Sequence, residues 1–182
     1  MKKYKLTTET LQFAGRTLHR IKAVKDFDSI KAGEFGGWIE NEKNLSQDDN
    51  AWIYGDAMVF DNAEVYDNAK VYGNANVSGN AEVSDYAEVS DYAKVYGNAA
   101  IKGDAKVHDA VDYIVFKNFW SSGRYFTWTS SNNKWSVGCF YGTGEELIKK
   151  AYADSEKSGR EYERVVRYVE SILADEKKEK SN

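Results

Sequence analysis

Along residues 50–109 the apolar positions return at a fixed interval of six. Ile53, Val59, Val65, Val71, Val77, Val83, Val89, Val95, Ile101 and Val107 mark the interval, and an alanine stands two residues before each, from Ala51 to Ala105. A helix would place apolar residues three and four apart, and a lone strand would alternate without a break. Here a β-branched residue suited to a pleated, half-buried surface is followed by an outward residue, then Gly or Asp, then Asn, Asp or Tyr, then the small Ala. The phrase predicts a short strand plus a corner, because Gly, Asn and Asp accept the positive φ that a sharp corner needs. Ten such phrases without an insertion predict a solenoid.

The pattern resembles the hexapeptide repeat of left-handed parallel β-helix proteins, in which an aliphatic residue is followed four positions on by a small one, as in Val65 with Ala69, Val71 with Ala75 and Val95 with Ala99. The resemblance implies triangular coils of three hexads each, a little over three regular coils, and the left hand. Residues 18 apart then stack into outward ladders, such as Tyr54, Tyr72, Ser90 and His108.

Outside the repeat the periodicity changes. Residues 1–23 alternate in short bursts around Ala14-Gly15-Arg16, which predicts a β-hairpin cap. Residues 24–110 form the β-helix, with irregular first coils over 24–49, a bulge near Asp48-Asp49, and regular hexads over 50–109. Residues 111–182 predict a small α+β module: a three-stranded antiparallel meander, a helix opened by the Thr143/Glu146 capping pair, a second helix after Ser158-Gly159, and a charged, frayed tail from Asp175. The fold class is mainly β. The lead-in phrases Ala23-Val24-Lys25-Asp26-Phe27, Gly36-Gly37-Trp38-Ile39 and Asn44-Leu45-Ser46-Gln47 resemble a group of β-helix proteins from enterobacteria, phages and prophages that are called transferases without a defined activity. The segment 138–143 with its following helix resembles a C-terminal module common in phage proteins.

Charge is distributed unevenly. Residues 1–43 hold nine Lys/Arg against six Asp/Glu, residues 44–110 four against twelve, and residues 111–182 twelve against eleven. An acidic rod lacks the clustered cations that neutralise phosphates, so no direct nucleic-acid contact is expected of it; a basic protein surface is the better complement. A single cysteine excludes an internal disulfide and suits a reducing, cytoplasmic setting. No apolar leader or membrane span is visible.

Several residues carry candidate chemistry. His108, outward on the last coil, is the one histidine placed like the general base of hexapeptide acyltransferases, with Glu88 or Asp109 to hold it. That reading implies acyl-CoA as donor. The repeat lacks the excursion loop common in active members, so a surface histidine is the simpler expectation. His19 reads as structural, and Cys139 as a small core residue of an apolar strand. The Asp-rich corners lack the calcium-binding phrase, and Gly36-Gly37 is not followed by a phosphate-binding pattern, so neither metal nor nucleotide is expected there. Trp52, Tyr54, Met58, Phe60 and Tyr66 gather at the early end of the rod, an apolar patch that a partner or an appendage should cover. Tyr86 and Tyr92 replace the usual corner Asn and put two rings on solvent-facing corners. Glu82, Asp85, Glu88 and Asp91 form an acidic ladder beside them.

The expected function is a non-enzymatic interaction protein of phage or prophage type. It would bind, and inhibit, a bacterial host protein, for example a defence nuclease of the kind anti-CRISPR proteins block, with the acidic rod mimicking nucleic acid. The alternatives are an acyltransferase and a structural assembly protein. Dimers or trimers are expected in each case.

Overall fold

Each hexad commits only two residues to a strand before the next corner, and the computed structural model, which describes residues 2–179, is a β-solenoid built from such two-residue strands. One face stacks β3 (Phe35–Ile39), β5 (Met58–Val59), β8 (Asn76–Val77) and β11 (Lys94–Val95). The second stacks β4 (Trp52–Ile53), β7 (Lys70–Val71), β10 (Glu88–Val89) and β13 (Lys106–Val107). The third stacks β6 (Glu64–Val65), β9 (Glu82–Val83) and β12 (Ala100–Ile101), with Leu45 bridging to Val65 below them. All these pairings are parallel and put each aliphatic residue on its counterpart in the next coil. The lead-in segment therefore supplies a coil of its own, making about four turns. Eight residues rather than six separate Leu45 from Ile53, and the excess is taken up at Asp49, whose φ is 52°.

The core is a column of Val, Ile and Ala with essentially no exposed area. Burying each Val or Ile is worth about 1.5–3 kcal/mol. From Gly55 to Gly103 the corner position after each outward residue has positive φ whether it is Gly (55, 73, 79, 97 and 103) or Asp (61, 67, 85 and 91).

A solenoid satisfies its backbone coil to coil and leaves two open ends, and buried backbone groups there need partners. Hydrogen bonds run from N–H groups of one coil to carbonyls of the next, as from Asn76 N to Ala93 O at 2.9 Å. The last coil's donors are met by the C-terminal module: Ala100 N donates to Thr127 Oγ1 (2.9 Å), Lys106 N to Ser131 Oγ (2.7 Å) and His108 N to Asp112 Oδ2 (2.7 Å). The first coil's carbonyls are met from the hairpin formed by β1 (Tyr4–Phe13) and β2 (Arg16–Ala23), which turns on Ala14 and Gly15, both at positive φ. Tyr4 Oη donates to Leu45 O at 2.7 Å. Lys3 Nζ reaches Ala51 O (2.9 Å), Asp48 O (3.0 Å) and Asp49 O (3.4 Å).

Lys3 is 1% exposed. Burial pulls its ammonium down to about 8, against the opposing pull of Asp49 and Asp48. A lysine whose pKa is lower folded than unfolded binds fewer protons in the native state between those two values, so stability rises with pH across that window. Lys3 should contribute a gain of about 2 kcal/mol between neutrality and about pH 9.5 in urea unfolding, read as the difference between the parent and Lys3→Met, because the Tyr4 hydroxyl, whose pKa burial raises, acts in the opposite sense. Lys3→Met should flatten that rise, whatever its absolute stability. An unchanged slope would show that another group titrates.

The C-terminal module adds to the expected meander a fourth, short strand. It runs β14 (Tyr113–Lys117), β15 (Tyr125–Thr129), β16 (Lys134–Val137) and β17 (Phe140–Gly142), all antiparallel. Cys139 is not a core residue: Gly138 turns the chain at φ 56°, and the thiol is exposed between two strands. Helix α1 (Gly144–Asp154) opens on the reciprocal Thr143/Glu146 cap as its sequence predicts. Helix α2 (Glu156–Glu179) starts before Gly159 rather than after it. A Cβ on Gly159 would lie 2.2 Å from the Tyr152 ring, so this glycine lets the two helices close up. The expected fraying of the tail is not seen from Asp175 to Glu179, which are helical, and residues 180–182 lie outside the described residues. No described helix is long and apolar enough to cross a membrane.

Candidate functional site

The corner carboxylates are part of the fold. Asp61 Oδ2 accepts from Gly79 N (3.1 Å), Asp67 Oδ2 from Asp85 N (3.2 Å) and Asp85 Oδ2 from Gly103 N (2.9 Å). Each of these three left-handed Asp residues thus bonds the same corner one coil later. The ladder ends at Asp91, because the next corner, Asp109, is extended (φ −142°) and caps the turn 110–112, while its own N–H goes to Asp112 Oδ2. The Asp91 carboxylate meets His108 instead, with Oδ2 3.2 Å from Nδ1. The same Nδ1 is 2.6 Å from Ser90 Oγ.

This corrects the expected supports of His108. Glu88 receives the Tyr72 hydroxyl at 2.9 Å and faces Lys106 Nζ at 3.8 Å, while Asp109 serves the cap. Asp91 and Ser90 hold the imidazole. Neither was singled out for that role from the sequence, although the Asp109-x-x-Asp112 spacing signals a capping turn that would divert Asp109. No described residue bonds Nε2, and the imidazole is half exposed.

The acidic ladder is partly neutralised from within. Glu82 accepts from the Tyr66 hydroxyl (3.2 Å) and pairs with Lys102 (3.3 Å). Among the described residues no group of three His, Cys, Asp or Glu side chains is arranged to hold a metal ion. His19 lies in β2 with Nδ1 3.4 Å from Thr7 O.

Two members of the early aromatic patch, Trp52 and Phe60, are buried within the chain. Trp52 is 1% exposed, with its ring edge-on to Tyr4 at 6.1 Å and Phe27 at 5.3 Å. Phe60 is 7% exposed, packed with Leu18 and Trp38 and edge-on to Phe13 at 5.7 Å. The hairpin and the lead-in segment cover both. Tyr54 and Tyr66 are half-buried, and burial raises the pKa of each hydroxyl. On the later coils three rings are uncovered: Tyr86 (70% exposed), Tyr92 (76%) and Tyr96 (61%). Tyr86 and Tyr92 occupy the corners on either side of β10, and Tyr96 is the outward residue following β11.

No family profile matches the chain. Over 62 residues it is 39% identical to an uncharacterized acetyltransferase, YdcK, of Escherichia coli (strain K12), a match that takes in 30% of this chain and 19% of that protein. Less than a fifth of that relative is therefore covered, and the shared stretch is what the chain is similar to.

Proposed function

We propose that this protein is a non-enzymatic β-solenoid interaction module whose contact surface is the corner pair Tyr86 and Tyr92 with the carboxylates Glu82, Asp85, Glu88 and Asp91. The observation that carries the reading is the exposure of two large rings on adjacent corners, where an Asn or Asp suffices for the fold. Exposed tyrosines of this kind anchor protein interfaces. The surplus of carboxylates over residues 44–110 favours a partner with a basic surface. In the finer reading that partner is a nucleic-acid-binding protein of a bacterial host, held off its substrate; the resemblance of the lead-in phrases to phage proteins supports it.

The second reading is an acyltransferase. It is favoured by the imidazole held through Nδ1 with Nε2 unbonded, and by the name of the partial relative. The test compares the parent chain with Tyr86→Ala/Tyr92→Ala as bait in a bacterial lysate, with washes of rising salt. A stoichiometric protein should be retained by the parent, released by salt, and weakened about tenfold or more in the double variant. Equal retention by both overturns the reading. Turnover of acetyl-CoA that disappears in His108→Ala would put the second reading first.

A further inference from the structure

The net charge of the chain hides a strongly cationic end. Residues 2–25 carry seven Lys or Arg and a single carboxylate, Glu9. Within this hairpin Lys5 and Lys22 are direct cross-strand partners. Like charges placed directly opposite one another on an antiparallel pair repel, and among the described residues neither ammonium has a carboxylate partner. Lys22 is in turn the partner of Phe35 on β3, so one rung across three strands reads Lys5, Lys22, Phe35. The Phe35 ring is 52% exposed, with Lys22 Nζ 4.6 Å and the Arg20 guanidinium 5.9 Å from its centre. Arg20 itself is fixed by donating to Gly36 O (3.2 Å), by lying 5.2 Å from the Trp38 ring, and by facing Glu9 at 3.6 Å.

The local backbone shapes a groove at this rung. The register of β1 slips between Leu6 and Thr10, so residues 7–9 bow away from β2. Their displacement leaves a groove of about 420 Å³ between Thr7, Thr8 and Glu9 on one side and Lys5, Lys22 and Phe35 on the other. The hairpin's capping role uses Lys3, Tyr4 and the buried side of β2, and needs none of these groups. A cation–π contact accounts for Lys22 against Phe35, but the Lys5 ammonium placed opposite Lys22 and the groove beside the rung have no structural explanation.

We propose that this groove binds a nucleotide unit: a phosphoryl group between the Lys5 and Lys22 ammoniums, with the attached flat base against the Phe35 ring. Two lysines lining one groove suit a dianionic phosphate, and an exposed ring beside cations is the arrangement on which single-stranded bases stack. The site lies on the hairpin and β3, at the edge of the sheet that continues into the coils; the expectation of no direct nucleic-acid contact was argued from the acidic coils, and the hairpin carries the opposite charge. The same chemistry is offered by a free nucleotide and by a single strand of DNA or RNA.

Titrations at low salt with ATP, inorganic tripolyphosphate and a short labelled oligothymidylate test the site on the full chain. Saturable binding is expected, weakened about tenfold or more for every probe by Lys5→Gln/Lys22→Gln. Phe35→Ala should weaken ATP and the oligothymidylate while sparing tripolyphosphate. Tighter binding of the oligothymidylate than of ATP, with a steep salt dependence, identifies a single strand as the source; the reverse order identifies a free nucleotide. The Lys5→Gln/Lys22→Gln variant should melt no lower than the parent, since it removes a repulsion, so its loss of binding reports on the groove. Absence of saturable binding by any probe, or binding unchanged without both ammoniums, overturns the proposal. Neither outcome bears on Tyr86 and Tyr92, because the lysate experiment reads a different surface.

Discussion

Trp52→Ala is expected to cost about 3–5 kcal/mol, the range for emptying a fully buried large aromatic site. Trp52 is 1% exposed although the hexad rule places it outward from the coil. Its ring fills the space between the first complete coil and the N-terminal elements, edge-on to Tyr4 and Phe27, and it lies close enough to Gly36 that a Cβ there would come within 2.7 Å of it. Truncation would leave a void bounded by three separate chain segments, and the Lys3 and Tyr4 hydrogen bonds that cap the first coil would lose the surface they pack on. Urea unfolding measures the cost. Tyr86→Ala is the matched control, since that ring is 70% exposed and its loss should stay within about 0.5 kcal/mol. A loss below about 1 kcal/mol for Trp52→Ala would mean that the hairpin does not seal the rod in solution. Hydrogen exchange offers a second check: the backbone amides of the first coil should lose protection before those of the coils carrying Val77 and Val89.

The solenoid was legible because its period states both the strand and the corner. Positive φ at Gly and Asp corners, inward Val and Ala, and stacking at 18 residues all follow from the composition of the phrase. The hairpin was legible from Ala14-Gly15, and α1 from Thr143 and Glu146. What the period does not state is what covers an outward residue. Trp52 and Phe60 are outward by rule and buried in fact, because the elements that cover them lie tens of residues away in the chain. Cys139 shows a different limit. A run of small and aromatic residues reads as the middle of a strand, and only the left-handed conformation of Gly138 reveals a turn there.

The candidate site was legible in part for the same reasons. Tyr86 and Tyr92 stand where corner residues must stand, and they are exposed. The acidic ladder was visible as charge, but its work was not: Asp61, Asp67 and Asp85 accept backbone hydrogen bonds from the next coil, and Glu82 and Glu88 carry their own lysines. Phosphate mimicry by this ladder would rest on fewer free carboxylates than the sequence counts. His108 could be placed on the last coil from spacing alone, yet its contact with Asp91 depends on the repeat ending at Asp109. The termination of the repeat creates the environment of His108, and termination is the one event a repeat cannot encode in its period.

Gly37→Ala is expected to cost about 3 kcal/mol or more, although it adds a single methyl group, because that group has no room. A Cβ at Gly37 would stand 2.5 Å from Ala57 O and 2.5 Å from Ile53 Cγ2. The carbonyl cannot retreat freely, since Ala57 O accepts the Trp38 N–H at 2.9 Å and that bond joins β3 to the coil above. Accommodating the methyl means separating the first two coils where the sheet of the hairpin passes into the solenoid. The cause is space and not conformation, because Gly37 is not among the positive-φ glycines. Gly15→Ala provides the contrast. Gly15 sits at φ 78° in the hairpin turn, with nothing within 4 Å of the added Cβ, so only the left-handed strain of about 1–2 kcal/mol applies. Denaturant unfolding of the two variants should therefore rank Gly37→Ala as the more damaging. If Gly15→Ala proves worse, the first coil can shift to admit the methyl, and the Gly-Gly pair of the lead-in phrase is not there to let the coils meet.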